Sequence, residues 1–391
     1  MTGWGRGGWA RSVALSVVAA TGVGTGCGGD EASGPVEVPP VWTLAPEPEL
    51  RVGLQEGPPE LLFERILAVR LLEGGGIAVA DQGANTVRVF GADGSRVAEM
   101  GGEGDGPGEI RYLSGFQVMG RDTLVVYDPD TRRLTRFGTD GQLLGTDALR
   151  DQGPDSFLGR TSTGDWLMRW VDQEAFDRTA SAPAADPMVI GRFGPDGSFQ
   201  GIAGRHPGMV RQRNESFSGP VPFSPFPHAV VLRDSLVVTN GARPRLDVLG
   251  DSGRVVRTIE VPLANSDRER ARRALDSVFA EGPAERRERA ARLPEAGWEL
   301  PVPAIAQVLL GPDHRLWLKV FDPARDSWMT GGGFGRASGG RWLVVDPQGE
   351  AVATVDLPSD LRPTDIGRDR IAGVETDELG VERAVVYEVR R

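Results

Sequence analysis

EGDGPGEIRYLSGFQVMGRDTLVVYD, residues 103–128, aligns without a gap with EGPPELLFERILAVRLLEGGGIAVAD, residues 56–81. Both begin Glu-Gly and end in Asp at an offset of 47 (103 − 56 and 128 − 81), and the same offset separates FGADG at 90–94 from FGTDG at 137–141. A period of this length marks one repeated supersecondary unit, and four strands per propeller blade is among the forms it takes. The glycine-rich run GGEGDGPGEI, 101–110, has to be read within that unit. A phosphate-cradling loop would close on Lys-Ser/Thr, and a dinucleotide fingerprint would be followed by a helix N-terminus. This run ends in Glu109-Ile110 and leads into RYLSGFQVMG, which has no helical pattern. Its glycines serve instead to carry the chain from the outer strand of one unit to the innermost strand of the next.

The remaining parts of the unit recur at variable spacing. Six short apolar runs of β character appear: IAVAD (77), LVVYD (124), DWLMRW (165), SLVVTN (235), LWLKVFD (316) and RIAGVET (370). A second element, hydrophobe-x-x-x-Gly, appears five times, as FGADG (90), FGTDG (137), FGPDG (193), LGDSG (249) and VDPQG (345). Each reads as a tight turn, with Asp or Ser bonding its own backbone and Gly at positive φ. The sixth unit ends with ERAVVYEVRR at the C-terminus, and its missing outer strand is available as ELRVG, residues 49–53. Pairing the two termini in one blade closes the ring and leaves no long sheet edge. The fold class is therefore all-β, a six-bladed β-propeller with the N-terminal strand closing the last blade, plus a small helical insertion. The pattern FGxDG, then G-x-GxGPGE, an apolar pair and a new strand resembles the NHL-type repeats of six-bladed β-propellers, which include exported bacterial lipoproteins. The resemblance covers residues 49–391 and carries its motif in the first two units.

The net charge of −11 and pI near 5.0 leave no basic stripe for a nucleic acid. Of the 44 basic residues only Lys319 is not Arg. Arg6 and Arg11 precede the apolar stretch SVALSVVAATGVG, too short to span a bilayer and shaped like the core of an export signal. Cys27 is the only cysteine, so no intrachain disulfide or metal-thiolate cluster is available. Thr25 and Gly26 before it resemble the lipobox of bacterial lipoproteins, which implies cleavage at residue 27, lipidation of Cys27 and a membrane-anchored location in the cell envelope. Residues 28–48, rich in Pro and acid, read as a disordered spacer between anchor and folded body.

In an up-and-down blade with strands a to d from the axis outward, the d–a crossovers and b–c loops share one face. The long insertions 171–187, 204–227, 263–300 and 321–340 all fall there, and binding residues concentrate on loops held by a rigid scaffold. Residues 264–299 read as a helical hairpin broken at Gly282-Pro283, capped by Ser266, with Ala274, Leu275, Val278 and Phe279 as its apolar stripe. His206, His228 and His314 lack metal-ligand spacing and read as polar loop residues, and no nucleophile elbow or HExxH is present. Asp81, Asp128 and Asn240 end equivalent b strands. They serve either to bond turn amides or as oxygen donors for a divalent cation such as calcium in the central channel. Asn85, Asp130, Arg132, Arg243 and Arg245 adjoin them as candidate ligand contacts. These features favour a monomeric, non-catalytic module that binds an envelope protein or a small polar ligand through the decorated face. The alternatives are a lactonase-like, metal-dependent propeller hydrolase or lyase and an envelope protein that serves only as a structural part of a larger assembly.

Overall fold

The six apolar runs are the second strands of six antiparallel blades in the computed structural model, which describes residues 39–172, 182–213, 218–282, 284–292, 295–327 and 339–391. Two N-terminal strands come first, β1 (Val41–Leu44) and β2 (Leu50–Val52). Blade 1 is β3 (Ile66–Leu71), β4 (Ile77–Asp81), β5 (Thr86–Phe90) and β6 (Arg96–Gly101). Blade 2 is β7 (Gly115–Met119), β8 (Thr123–Asp128), β9 (Arg133–Gly138) and β10 (Leu143–Ala148). Blade 3 is β11 (Ser156–Arg160), β12 (Trp166–Val171), β13 (Ala184–Phe193) and β14 (Phe199–Arg213), with β15 (Ser218–Pro220) on its edge. Blade 4 is β16 (His228–Leu232), β17 (Ser235–Thr239), β18 (Arg245–Leu249) and β19 (Val255–Glu260).

Three helices follow blade 4: α1 (Arg268–Glu281), α2 (Ala284–Ala291) and α3 (Glu295–Trp298). Blade 5 is β20 (Ile305–Leu310), β21 (Leu316–Val320), β22 (Gly340–Val345) and β23 (Ala351–Leu357), with the short α4 (Pro323–Asp326) after its second strand. Blade 6 is β24 (Leu361–Ile366), β25 (Arg370–Thr376) and β26 (Glu382–Arg390). Its fourth strand is β2, antiparallel to β26 with Leu50 opposite Val386 and Val52 opposite Ala384. The termini therefore share one blade, as the repeat count requires.

The burial pattern explains why IAVAD reads as a continuous apolar run. Every residue of β4 is buried, because blades 6 and 2 cover its two sides, whereas β19 at the rim buries only Ile259. The core is accordingly a ring of clusters between neighbouring blades. Ala78, Ala80 and Val87 of blade 1 meet Phe116, Leu124 and Val126 of blade 2, while Ile77 and Val79 meet Ala372 and Val374 of blade 6. The glycine that ends each c–d turn packs toward the preceding blade. A Cβ on Gly197 (φ +79°) would stand 2.1 Å from the Ala148 carbonyl oxygen, and one on Gly349 (φ +98°) 2.3 Å from that of Glu260. These positions need glycine for space as well as for φ.

The spacer expected over residues 28–48 is shorter than the sequence suggested. Residues 28–38 lie outside the described residues, but 41–44 form β1, parallel to β23 (Trp42 opposite Val355) and antiparallel to the end of β26 (Leu44 opposite Val389). Trp42 is buried against Trp317 at 5.9 Å between ring centroids, between blades 5 and 6, and Arg391 lies 4.6 Å from its ring centre. The alternation of Trp42 and Leu44 is a strand signal, which the flanking Pro39-Pro40 and Pro46 and Pro48 masked.

The helical hairpin departs in detail from its reading. Asp267, not Ser266, caps α1 by accepting from the Arg270 amide at 2.8 Å, and the buried stripe is Ala271, Leu275 and Phe279, with Ala274 and Val278 at its margin. Removing β1 opens the seam of blades 5 and 6, whereas a chain starting at Pro39 keeps it. We expect Trp42→Ala to cost about 3 kcal/mol or more by chemical denaturation, and a chain starting at Ala45 to melt well below one starting at Pro39. Equal melting would show that β1 is dispensable.

Candidate functional site

Asp81 and Asp128 hold the scaffold at the mouths of their blades. Asp81 is fully buried and accepts from the amides of Glu64 (3.1 Å), Arg65 (3.0 Å) and Gly83 (3.2 Å), with Arg88 at 3.7 Å. One repeat later, Asp128 accepts from Arg111 (2.9 Å), Asp130 (2.9 Å) and Thr131 (3.2 Å). Each carboxylate thus ties the incoming crossover to the b–c turn of its own blade, the turn-bonding role weighed above. In blade 4 the b–c turn is held by Thr239, whose hydroxyl accepts from Gly241 and donates to the Arg245 carbonyl, while Asn240 accepts from Ala242 at 3.2 Å. Asn85 (φ 53°) clamps the glycine-rich crossover, donating to the Arg111 carbonyl at 2.9 Å and accepting from the Leu113 amide at 3.0 Å. Asp130, Arg132 and Arg243 are exposed on the loops of blades 2 and 4, and Arg245 is exposed at the start of β18, 3.6 Å from Asp247. The eight residues are distributed over blades 1, 2 and 4. Among the described residues no three His, Cys, Asp or Glu side chains are grouped to hold a metal ion.

The insertions do come together. The described residues 184–187 and 204–211 of two of them are not independent loops, because β13 and β14 zip them into one hairpin extending blade 3, with Arg211 on Asp186 at 2.6 Å. The chain after it brings Phe223, fully buried, against Trp298 (5.7 Å, edge-on) and against Ala271, Leu275 and Phe279 of α1, with Val302 and Phe321 completing the cluster. Ser327 donates to the Pro222 carbonyl at 2.9 Å. Segments from blade 3, the blade 4–5 crossover and blade 5 therefore share one apolar core distinct from the blade cores. Residues 173–181, 214–217 and 328–338 of these insertions lie outside the described residues.

The chain's only lysine fixes this cap to the ring. Lys319 of β21 is fully buried and donates to both carboxylate oxygens of Asp326 at 2.7 and 2.8 Å, and Asp326 also accepts from the Asp322 amide. Burial holds the Asp326 carboxyl above the usual range in spite of Lys319. An ammonium suits this place because its donors point freely from one nitrogen, where a guanidinium would need a wider opening.

Two histidines are not loop residues. His228 opens β16 and its Nε2 donates to the Ala306 carbonyl at 2.8 Å, bridging blades 4 and 5; burial lowers its pKa to about 4. His206 lies within β14, 3.9 Å from Asp247, and burial lowers it too. His314 sits in a turn, at φ 64°.

A cavity of about 490 Å³ occupies the axis, lined by the innermost strand of every blade from Arg70 and Gln117 round to Thr364 and Asp365. Its lining lies toward the C-terminal ends of those strands, so it belongs to the face of the a–b turns, opposite the cap.

Residues 56–179 match the model of a protein family described as a 6-bladed beta-propeller. This protein is a six-bladed β-propeller. Among solved structures, the propeller is similar to a Bacteroides fragilis protein presumed to be exported, with 14% identity, TM-score 0.49 and coverage of 90% of this chain and 95% of the other. It is also similar to a member of the DUF4221 family from Bacteroides vulgatus (10% identity, TM-score 0.48, 89% and 98% covered). A third is virginiamycin B lyase from Staphylococcus aureus (11% identity, TM-score 0.41, 88% and 98% covered). No curated protein matches the propeller.

His228 sets a pH dependence. With an ordinary value of 6.5 when unfolded and about 4 when folded, it binds a proton in the unfolded chain first. Its contribution is therefore complete above pH 6.5 and is lost as pH falls toward 4, by up to about 3 kcal/mol. His228→Gln keeps an amide donor without titrating, and its stability should fall less than that of the parent between pH 6.5 and 4 by denaturant titration. Parallel acid limbs would exclude His228 as a cause.

Proposed function

We propose that this propeller is an exported, lipid-anchored, non-catalytic binding module whose capped face receives a protein of the cell envelope. The observation that carries the reading is the shared core of Phe223, Ala271, Leu275, Phe279, Trp298, Val302 and Phe321, built mostly from segments inserted between the strands of the blades. Insertions that only tolerated extra length would not order one another; these order themselves into a second layer. The outer side of α1 presents Arg268, Glu269, Arg270, Arg272, Arg273 and Asp276 to solvent. Arg268 and Arg272 are held by Glu299 (2.7 Å) and Glu295 (3.1 Å), so part of that charged surface is preset. Fixed charges of both signs suit recognition of a complementary protein surface.

Deleting residues 264–299 would strip Phe223, Val302 and Phe321 of cover, so the test is a change confined to the exposed side. With the protein immobilised in an envelope extract, Arg270→Glu combined with Asp276→Arg should reduce recovery of a bound partner at least tenfold while the melting temperature stays within a degree or two. Undiminished recovery would move the binding surface off the helix.

The anchor rests on the apolar run 12–24 and on Thr25-Gly26-Cys27, outside the described residues. Among the described residues no helix is long and apolar enough to cross a membrane. Cys27→Ser should shift the protein from the membrane to the soluble fraction or leave the precursor uncleaved. Unchanged fractionation and unchanged size would refute lipidation.

A further inference from the structure

We propose that the axial cavity on the uncapped face is a binding site for a small organic anion, whose carboxylate or phosphate head meets Arg70, Arg160 and Arg233 and whose hydrocarbon part lies on the aliphatic wall beside them. This site is independent of the cap. The cavity, about 490 Å³, falls within the range of small-molecule sites. Val118, Val230, Val231, Leu309 and Leu310 supply its apolar lining.

The charge around it is unbalanced. Some arginines of this chain are spent on carboxylates, as in Arg51 with Glu375, Arg211 with Asp186 and Arg341 with Asp356, and others on backbone carbonyls, as in Arg133 and Arg257. Arg70 and Arg160 of the cavity are of the second kind. Arg70 donates through its two Nη atoms to the backbone carbonyls of Thr364 in blade 6 and Phe116 in blade 2, and its buried Nε has no hydrogen-bond partner. Arg160 donates from Nε to the Gly164 carbonyl at 2.7 Å, and its guanidinium lies 4.5 Å from the centre of the Trp166 ring. Arg233, at φ 57°, stands exposed in the a–b turn of blade 4. Among the described residues none of the three has a carboxylate within ion-pair distance.

One acid faces them, and its oxygens are already engaged. Asp365 accepts from the Leu71 amide at 2.8 Å and from the Ile366 amide at 3.1 Å. Three cations against one amide-bonded carboxylate leave an electropositive pocket on a protein of net charge −11. Low-dielectric walls strengthen such a field inside a cleft, and planar guanidinium groups fit the oxygens of carboxylate and phosphate. Arg70 is bolted to both neighbouring blades, so it offers a fixed charge, while Arg160 and Arg233 keep Nη donors for a ligand.

The test uses the purified full chain and three probes: benzoate, its neutral isostere benzamide, and inorganic phosphate, followed by ligand-observed NMR and calorimetry. Saturable 1:1 binding of benzoate with none of benzamide is expected, and the Arg160→Gln/Arg233→Gln pair should weaken it tenfold or more at unchanged melting temperature. Arg160→Lys/Arg233→Lys, which keeps the charge, should retain most of the binding, separating lost charge from lost packing on Trp166. Binding of phosphate without benzoate would assign the site to phosphate heads. Equal binding of benzoate and benzamide, binding of no probe, or indifference of benzoate to the Gln pair would overturn the proposal. The capture experiment on α1 is unaffected by any of these results.

Discussion

A blade of this protein cannot stand alone, because its second strand is apolar on both sides. Ile77 and Val79 turn toward blade 6 and Ala78 and Ala80 toward blade 2, and all four are fully buried. Each blade therefore depends on two neighbours, and the dependence ends only when the sixth blade meets the first. The ring makes stability a collective property: Leu50 and Val52 on β2 belong to the same cluster as Ile66 of blade 1 and Ala384 of blade 6. Closing the ring with a strand from the other end of the chain also supplies the outer edge of blade 6 with a partner.

A closed ring of packed blades leaves two places where the sequence is free to vary. One is the face of the b–c loops and crossovers, where insertions collect and, in blades 3 to 5, build a second layer. That layer is fastened by apolar contact at Phe223 and Trp298 and by the Lys319–Asp326 pair, whose geometry joins a blade strand to the α4 turn. The other is the axis. Six innermost strands cannot fill it with side chains from every register, and the residues left at its open end include three arginines without carboxylate partners among the described residues. The two places lie at opposite ends of the ring, so a partner on the cap and an anion in the channel need not compete.

Equivalent residues in different repeats need not do new chemistry to be required. Asp81 and Asp128 occupy the same position and bond the same crossover and turn amides, which a carboxylate with several acceptor sites does well. Their recurrence reflects the unit they hold together. The glycine-rich run belongs to the same device: Gly102 donates to the Asn85 carbonyl, Ile110 to that of Gly102, and Ile110 and Leu113 are buried beneath it.

The repeat offset, the six apolar strands, the five turns with glycine at positive φ and the pairing of the termini were all legible in the sequence, because they follow from local chemistry and from counting. The helical hairpin was legible as well, though Asp267 competed with Ser266 for the cap and only packing on Phe223 selected Ala271, Leu275 and Phe279 as the buried stripe. What the tertiary structure alone decided concerns residues distant in the chain. Trp42 is a strand residue because Trp317 and Val355 lie across the seam of blades 5 and 6, while its local prolines point to a spacer. His228 is a half-buried bridge because Ala306 is beside it, and Arg70, Arg160 and Arg233 share one cavity only because the ring brings three separate inner strands and their turns to one axis. Turns and strands are set by neighbours in sequence; a site at the centre of a ring is set by closure, which no single segment encodes.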